Sequence, residues 1–273
     1  MTDHSDTIIT REIKYSIGIQ TNFHIQNFLS NNSRINDSYF WVEESEFNDT
    51  LNFSSILLNE LTEVQDIYDT ANQIISIYEG IYKLLDRTRH NQRYFTLLEI
   101  VNLDEKRIIS RSGQSELYKI DINLKGIKSE SPTGPVNVIY SLFAEIVKDD
   151  FLTNLFFLLS NKVDYRMLYI IYDDIRFYLK SIDDNEFLKE FSTLLNRFTH
   201  TANNYEVLGF FARHGRTNHE PPKSPLNLKE SMNLIFDIIV KLLREKFSVI
   251  LPSFWGLMYV DFSEGEIKKL FEK

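Results

Sequence analysis

The chain has 273 residues, 43% of them hydrophobic and 25% charged, a globular composition that excludes a disordered or fibrous protein. It contains no cysteine, which rules out disulfides, thiol catalysis, iron–sulfur clusters and cysteine-based zinc sites. A formal charge of −9 argues against coating nucleic acid by bulk electrostatics, so a polyanion would need a local basic patch.

Residues 1–6 are polar and acidic and lack the basic flank and apolar core of a secretory signal. The longest apolar stretches, 151–159 and 249–260, fall short of the roughly 20 residues that cross a bilayer, and Pro252 and Gly256 break the second. The expectation is a soluble, cytoplasmic protein with no membrane association.

Ile13, Tyr15, Ile17 and Ile19 alternate with small or polar residues, which predicts a half-buried strand, and residues 39–43 supply a second short one. From 57 to 85 the period becomes helical. Leu61, Val64, Tyr68, Ala71, Ile75, Tyr78, Tyr82 and Leu85 form one apolar stripe at steps of three and four. Residues 94–101, 107–110 and 117–124 are strand-like, separated by turn-rich segments at 102–105 and 112–114. The first half therefore predicts a small antiparallel sheet packed on one long helix.

Ser129, Ser131, Pro132, Gly134 and Pro135 crowd residues 126–135 into a linker-like stretch. Beyond it, 136–147, 151–159, 165–179, 187–202 and 228–247 carry helical apolar spacing. Asn227 with Glu230 has capping-box spacing behind Pro225, so a helix should start near Leu228; Ser263 with Glu266 repeats the signature. The run 249–260 reads as core or edge-strand packing. The fold class expected is α+β, with an α+β domain at 1–128 followed by a helical bundle at 136–273.

Chemistry-bearing residues concentrate in that bundle. Three of six histidines, His200, His214 and His219, fall in one window. From 197 to 229 five cations (Arg197, Arg213, Arg216, Lys223, Lys229) face two acids (Glu206, Glu220), a local +3. Pro221, Pro222 and Pro225 stop any helix there, which puts 213–219 at or beyond a helix end, on a surface loop. Arginine clamps phosphate and histidine moves a proton near neutral pH. Together they suit cleavage of an RNA phosphodiester, and equally simple anion binding.

The run Asp164-Tyr165-Arg166-Met167-Leu168-Tyr169-Ile170-Ile171-Tyr172-Asp173-Asp174-Ile175, then Thr201-Ala202-Asn203-Asn204, Ala212-Arg213-His214-Gly215 and Pro222-Lys223-Ser224-Pro225, resembles the C-terminal part of helical bacterial proteins. More loosely it is similar to the HEPN superfamily of toxin and phage-defence ribonucleases, over about residues 136–247. The resemblance implies a metal-independent endoribonuclease without a cofactor. Arg213 would be the phosphate-binding cation and His219, with five residues between them, the proton-transfer group, with His214 beside the arginine. Arg197, His200, Asn203, Asn204 and Arg216 would line the RNA. A homodimer would go with it, and the N-terminal domain would bind a protein partner. The Pro-rich loop that follows His219 departs from that family's helical pattern.

The alternative is a non-catalytic binding module for RNA, an anionic ligand or a protein, with a structural Arg/His cluster. On that reading His200 is a surface histidine, Asn203 and Asn204 end a helix, and Arg213 and His214 interact with a helix carbonyl end. Asp173, Asp174, Asp183 and Asp184 read as solvated acids rather than a metal site. Glycine-rich phosphate loops, nucleophile elbows, zinc-protease and calcium-loop motifs are absent from the sequence.

Overall fold

The computed structural model describes residues 14–21, 40–44, 51–87, 94–109, 142–143, 145–215, 220–249 and 251. The chain divides into two compact units, residues 1–72 with 95–116, and residues 73–94 with 117–273. The linker-like stretch 126–135, the strand expected at 117–124 and the Ser263–Glu266 cap lie outside the described residues, as does most of the run 249–260.

In the first unit β1 (Tyr15–Thr21), β2 (Phe40–Glu44), β3 (Leu51–Ser55), β4 (Phe95–Asn102) and β5 (Arg107–Ile109) form one antiparallel sheet in the order β2-β3-β1-β4-β5. The period-2 pattern of β1 explains its central position: Tyr15, Ile17 and Ile19 are all buried. Ile17 stands opposite Phe53 on one side and Ile100 on the other, both also buried, so the three make one apolar row across the sheet. Between Gly18 and Ile19 the register against β4 shifts, leaving Leu98 as the extra residue of a bulge. The turn expected at 102–105 closes as the Asn102 carboxamide oxygen accepts from the Glu105 amide at 3.0 Å, with Lys106 at φ 49°.

The strand β3 lies in a stretch where sequence periodicity gave no element, because five residues carrying two large apolar side chains do not establish a period. The long helix α1 (Val64–Leu85) starts later than the stripe from 57 suggests. Residues Ile56–Leu58 form a 3-10 turn instead. That stretch is held to β1 by side-chain bonds, Tyr15 hydroxyl to Leu61 carbonyl at 2.9 Å and Lys14 amide to the Asn59 side chain at 3.0 Å. Ile67, Tyr68 and Ala71 at the start of α1 are buried, and the Tyr68 hydroxyl donates to the Ile109 carbonyl at 2.7 Å. The start of α1 thus packs with the sheet, and the α+β class holds.

The second unit takes the rest of α1 and adds α2 (Asp150–Ser160), α3 (Tyr165–Ser181), α4 (Ser192–Asn203), the single turn α5 (Tyr205–Leu208) and α6 (Leu228–Phe247). Short polar side chains cap nearly every start: Asp149, Asp164, Asn204 and Asn227 accept from the Leu152, Met167, Val207 and Glu230 amides. The Asn227–Glu230 capping box forms in full. Helix α6 is buried on most of its circumference, with Met232, Ile235, Phe236, Ile238, Ile239, Leu242 and Leu243 inaccessible, and α3 and α4 pack on it. Phe151, Tyr178 and Phe247 stack where α2, α3 and α6 meet.

Helix α4 begins at Ser192, not at 187. Upstream, Asp184 accepts from the amides of Glu186 and Phe187, and the 3-10 turn Lys189–Phe191 carries the chain into the helix. Phe187 is still buried, beneath the ammonium of Lys241 at 4.6 Å from its ring. Among the described residues no helix is long and apolar enough to cross a membrane.

Gly80 sets the distance between α1 and α2. A Cβ there would lie 2.1 Å from the Phe156 carbonyl oxygen, which is backbone and cannot swing away. Beside it the Lys83 ammonium donates to the Ser160 and Asn161 carbonyls at 2.6 and 3.0 Å, closing the C-terminus of α2, while Glu79 lies 3.5 Å from the same ammonium. Gly80→Ala gains about 1 kcal/mol of helix propensity. Forcing the helices apart costs more, so a net loss of about 1–3 kcal/mol is expected in urea denaturation. A variant as stable as wild type contradicts this contact.

Candidate functional site

The basic window is built around the end of α4. The Asn204 amide donates to the Thr201 carbonyl as α4 stops, and its side chain opens α5, so Asn203 and Asn204 do mark a helix end. Gly209 follows at φ 55°, ψ −128°, a backbone region that disfavours any side chain although a Cβ would meet nothing there. A 3-10 turn, Gly209–Phe211, then returns the chain to α4, where the Arg213 amide donates to the Ala202 carbonyl at 2.8 Å.

Two arginines fasten this turn to α3. Arg166, on the first turn of α3, donates from Nε to the Ala212 carbonyl at 3.0 Å and from its terminal nitrogen to the Phe210 carbonyl. Arg213 reaches the opposite way. Its guanidinium lies 3.9 Å from the centroid of the Tyr169 ring and 3.3 Å from the Asp173 carboxylate. The ion pair is partly exposed and contributes ~0–1 kcal/mol; the cation–π contact adds ~0.5–1 kcal/mol. The charged donors of Arg166 on two carbonyls, each worth about 1.5–3 kcal/mol, hold the turn more firmly than either.

The neighbouring Pro-rich segment is pinned in the same manner. Arg197 donates to the Ser224 carbonyl at 3.1 Å, Tyr165 to the Leu226 carbonyl at 2.9 Å, and the Leu226 amide to the Thr201 hydroxyl at 3.1 Å. Arg197 thus has a backbone partner. His200, Arg213 and His214 are exposed, and among the described residues none hydrogen-bonds to either imidazole. The Asn203 side-chain oxygen is buried without a donor among the described residues. Arg216 and His219 lie outside the described residues, so the Arg213–His219 pair has no geometry on which to rest. No group of three or more His, Asp or Glu among the described residues is placed to hold a metal ion.

The sequence reading missed the most exposed feature of the turn. Phe210 is 84% and Phe211 66% accessible, with Phe177 and Ile170 also open on the outer face of α3. The signal was present: two consecutive phenylalanines between a glycine and Arg213 cannot both enter a core from so short a turn. Phe210 is steadied edge-on by Tyr205, ring centroids 6.1 Å apart. What results is an aromatic pair displayed beside two side chains able to carry positive charge.

The acids of α3 are engaged rather than merely solvated. Asp173 takes Arg213 and, at 3.5 Å, Arg176. Asp174 accepts from the Asn154 side chain at 3.0 Å, but burial dominates and holds its carboxyl above the usual range. Burial likewise raises the Tyr172 phenol, chiefly by desolvation and against the Arg176 charge. Comparison of the chain with protein-family models, curated proteins and solved structures finds no match.

A carboxyl raised by folding subtracts stability while it is ionised, and the penalty lifts as pH falls through its folded value. Asp174→Asn, whose side-chain oxygen can still accept from Asn154, is therefore expected to be the more stable form by under about 1 kcal/mol near pH 7. In urea denaturation the gap should narrow as pH falls through and below the ordinary carboxylate range. A gap that widens toward acid contradicts the assignment.

Proposed function

We propose that the helical unit is a binding module for single-stranded RNA, with Phe210 and Phe211 as its stacking platform. The observation that carries this reading is the exposure of that pair, 84% and 66%, on a turn whose backbone is fastened by Arg166 and Arg213. Exposed aromatics on a rigid support offer a face to any base, worth ~1–3 kcal/mol per stacked base. The local +3 between 197 and 229, in a chain of −9, supplies an attraction for phosphate beside that pair. Arg213 and His214 flank the platform. Because Arg213 already faces Asp173 and Tyr169, it can contribute one side of its guanidinium to a phosphate and not a full bidentate clamp.

Binding fits the described residues better than cleavage. General acid–base chemistry needs an imidazole held by an orienting partner, and neither His200 nor His214 has one among the described residues. The ribonuclease proposal rests on Arg213 with His219, and a possible role for a toxin or antiviral defence rests on it in turn.

One experiment addresses both. Fluorescence anisotropy with a labelled oligouridine, at rising salt, is expected to show affinity that falls about 10-fold or more in Phe210→Ala/Phe211→Ala. The melting temperature should stay near that of wild type, since both rings are solvent-exposed. Unchanged affinity in the double variant contradicts the platform. RNA recovered intact accords with a binding module; EDTA-insensitive cleavage abolished by Arg213→Ala and His219→Ala would establish the ribonuclease instead.

A further inference from the structure

The geometry points to a second site, a cleft on the C-terminal half of α3 that takes a nucleoside monophosphate, free or as the phosphorylated end of an RNA strand. The cleft has a volume of about 370 Å³, and Asp173, Arg176, Phe177, Lys180 and Asp184 are among the residues that line it. That volume lies within the ~300–1,000 Å³ range of small-ligand sites. Arg176, Phe177 and Lys180 fall within little more than one turn of α3, so two cations and one aromatic ring line the same cleft.

Charge decides what enters. The lining holds two acids and two bases, yet each acid is answered from outside the cleft. Asp173 takes Arg213, and Asp184 takes Lys246 together with the Glu186 and Phe187 amides at 3.2 and 3.1 Å. The hydrogen bond from Lys246 also holds the Asp184 carboxyl below its ordinary range, so it stays ionised and paired. The bases are less committed. Arg176 reaches Asp173 only at 3.5 Å, and the Lys180 ammonium forms no ion pair among the described residues. The cleft therefore presents an excess of positive charge in an acidic chain.

An anion alone would use the cations and leave Phe177 exposed at 76%. A ligand joining phosphate to an aromatic base uses both, with phosphate on Arg176 and Lys180 and the base on the Phe177 ring. Leu179 and Leu188 supply an apolar floor beside that ring. The site uses none of the residues that display Phe210 and Phe211 except Asp173, which Arg213 and Arg176 share. It thus stands or falls separately from the aromatic turn.

The test is calorimetric titration of the full chain with uridine and adenosine monophosphates, the unphosphorylated nucleosides, inorganic phosphate and a 5′-phosphorylated oligouridine. Mononucleotides are expected to bind at least about 10-fold more tightly than nucleoside or phosphate alone, and Arg176→Ala, Lys180→Ala and Phe177→Ala each to weaken them by a similar factor. In the Phe210→Ala/Phe211→Ala background the three cleft substitutions should still weaken mononucleotide binding by the same factor, which separates this site from the RNA platform. Preference for the mononucleotide over the phosphorylated oligomer assigns the free ligand, and the reverse assigns a strand end. Absence of binding by both up to millimolar concentration, or affinity that the three cleft variants leave within about twofold, overturns the proposal.

Discussion

The reciprocal hold of Arg166 and Arg213 is the constraint on which the candidate site depends. One arginine leaves α3 to take carbonyls of the turn, and the other leaves the turn to cover Tyr169 and meet Asp173 on α3. A 3-10 turn of three residues has no core of its own and would sample many conformations if free. Fastened at both ends, it has one. The cost of displaying two phenylalanines to water is then offset by the bonds beneath them, and the rings are ordered before any ligand arrives.

That hold is only as good as the placement of α3. Gly80 lets α1 approach the backbone of α2 at Phe156, Lys83 closes the α2 carbonyl end at Ser160 and Asn161, and Asp164 caps α3 three residues later. Arg166 stands on the first turn so begun. On the other side Thr201 and Tyr165 grip Leu226, whose neighbour Asn227 opens α6. Polar side chains acting on backbone carbonyls, rather than ion pairs, therefore position most of the functional surface. Bonds to a neutral carbonyl lose less to salt than the charge–charge contacts that a nucleic acid would make.

Much of this architecture is legible in the sequence because it rests on local rules. The alternation of Tyr15, Ile17 and Ile19 yields β1, and the Asn227–Glu230 spacing yields the start of α6. Strand β3 escapes notice because its pairing partners, not its own five residues, define it. The late start of α4 goes with the 3-10 turn Lys189–Phe191, which apolar spacing does not distinguish from α-helix. Within the site, Asn203 and Asn204 can be read as a helix end, and Arg213 as standing beyond it. Its partner Asp173 cannot be read, since 40 residues separate the pair and only the fold joins them. On the expectation of a HEPN-like site Arg213 would hold the phosphate; in the fold that residue meets Tyr169 and Asp173, and Phe210 and Phe211 beside it are exposed.

The proposed seat of RNA is the pair Phe210 and Phe211. Photocrosslinking of the full chain to 4-thiouridine-substituted RNA, followed by peptide mapping, tests it without relying on a variant. Adducts on the peptide carrying Phe210 and Phe211 are the result predicted. Adducts confined to residues 14–109, or none at concentrations that saturate anisotropy, would contradict it.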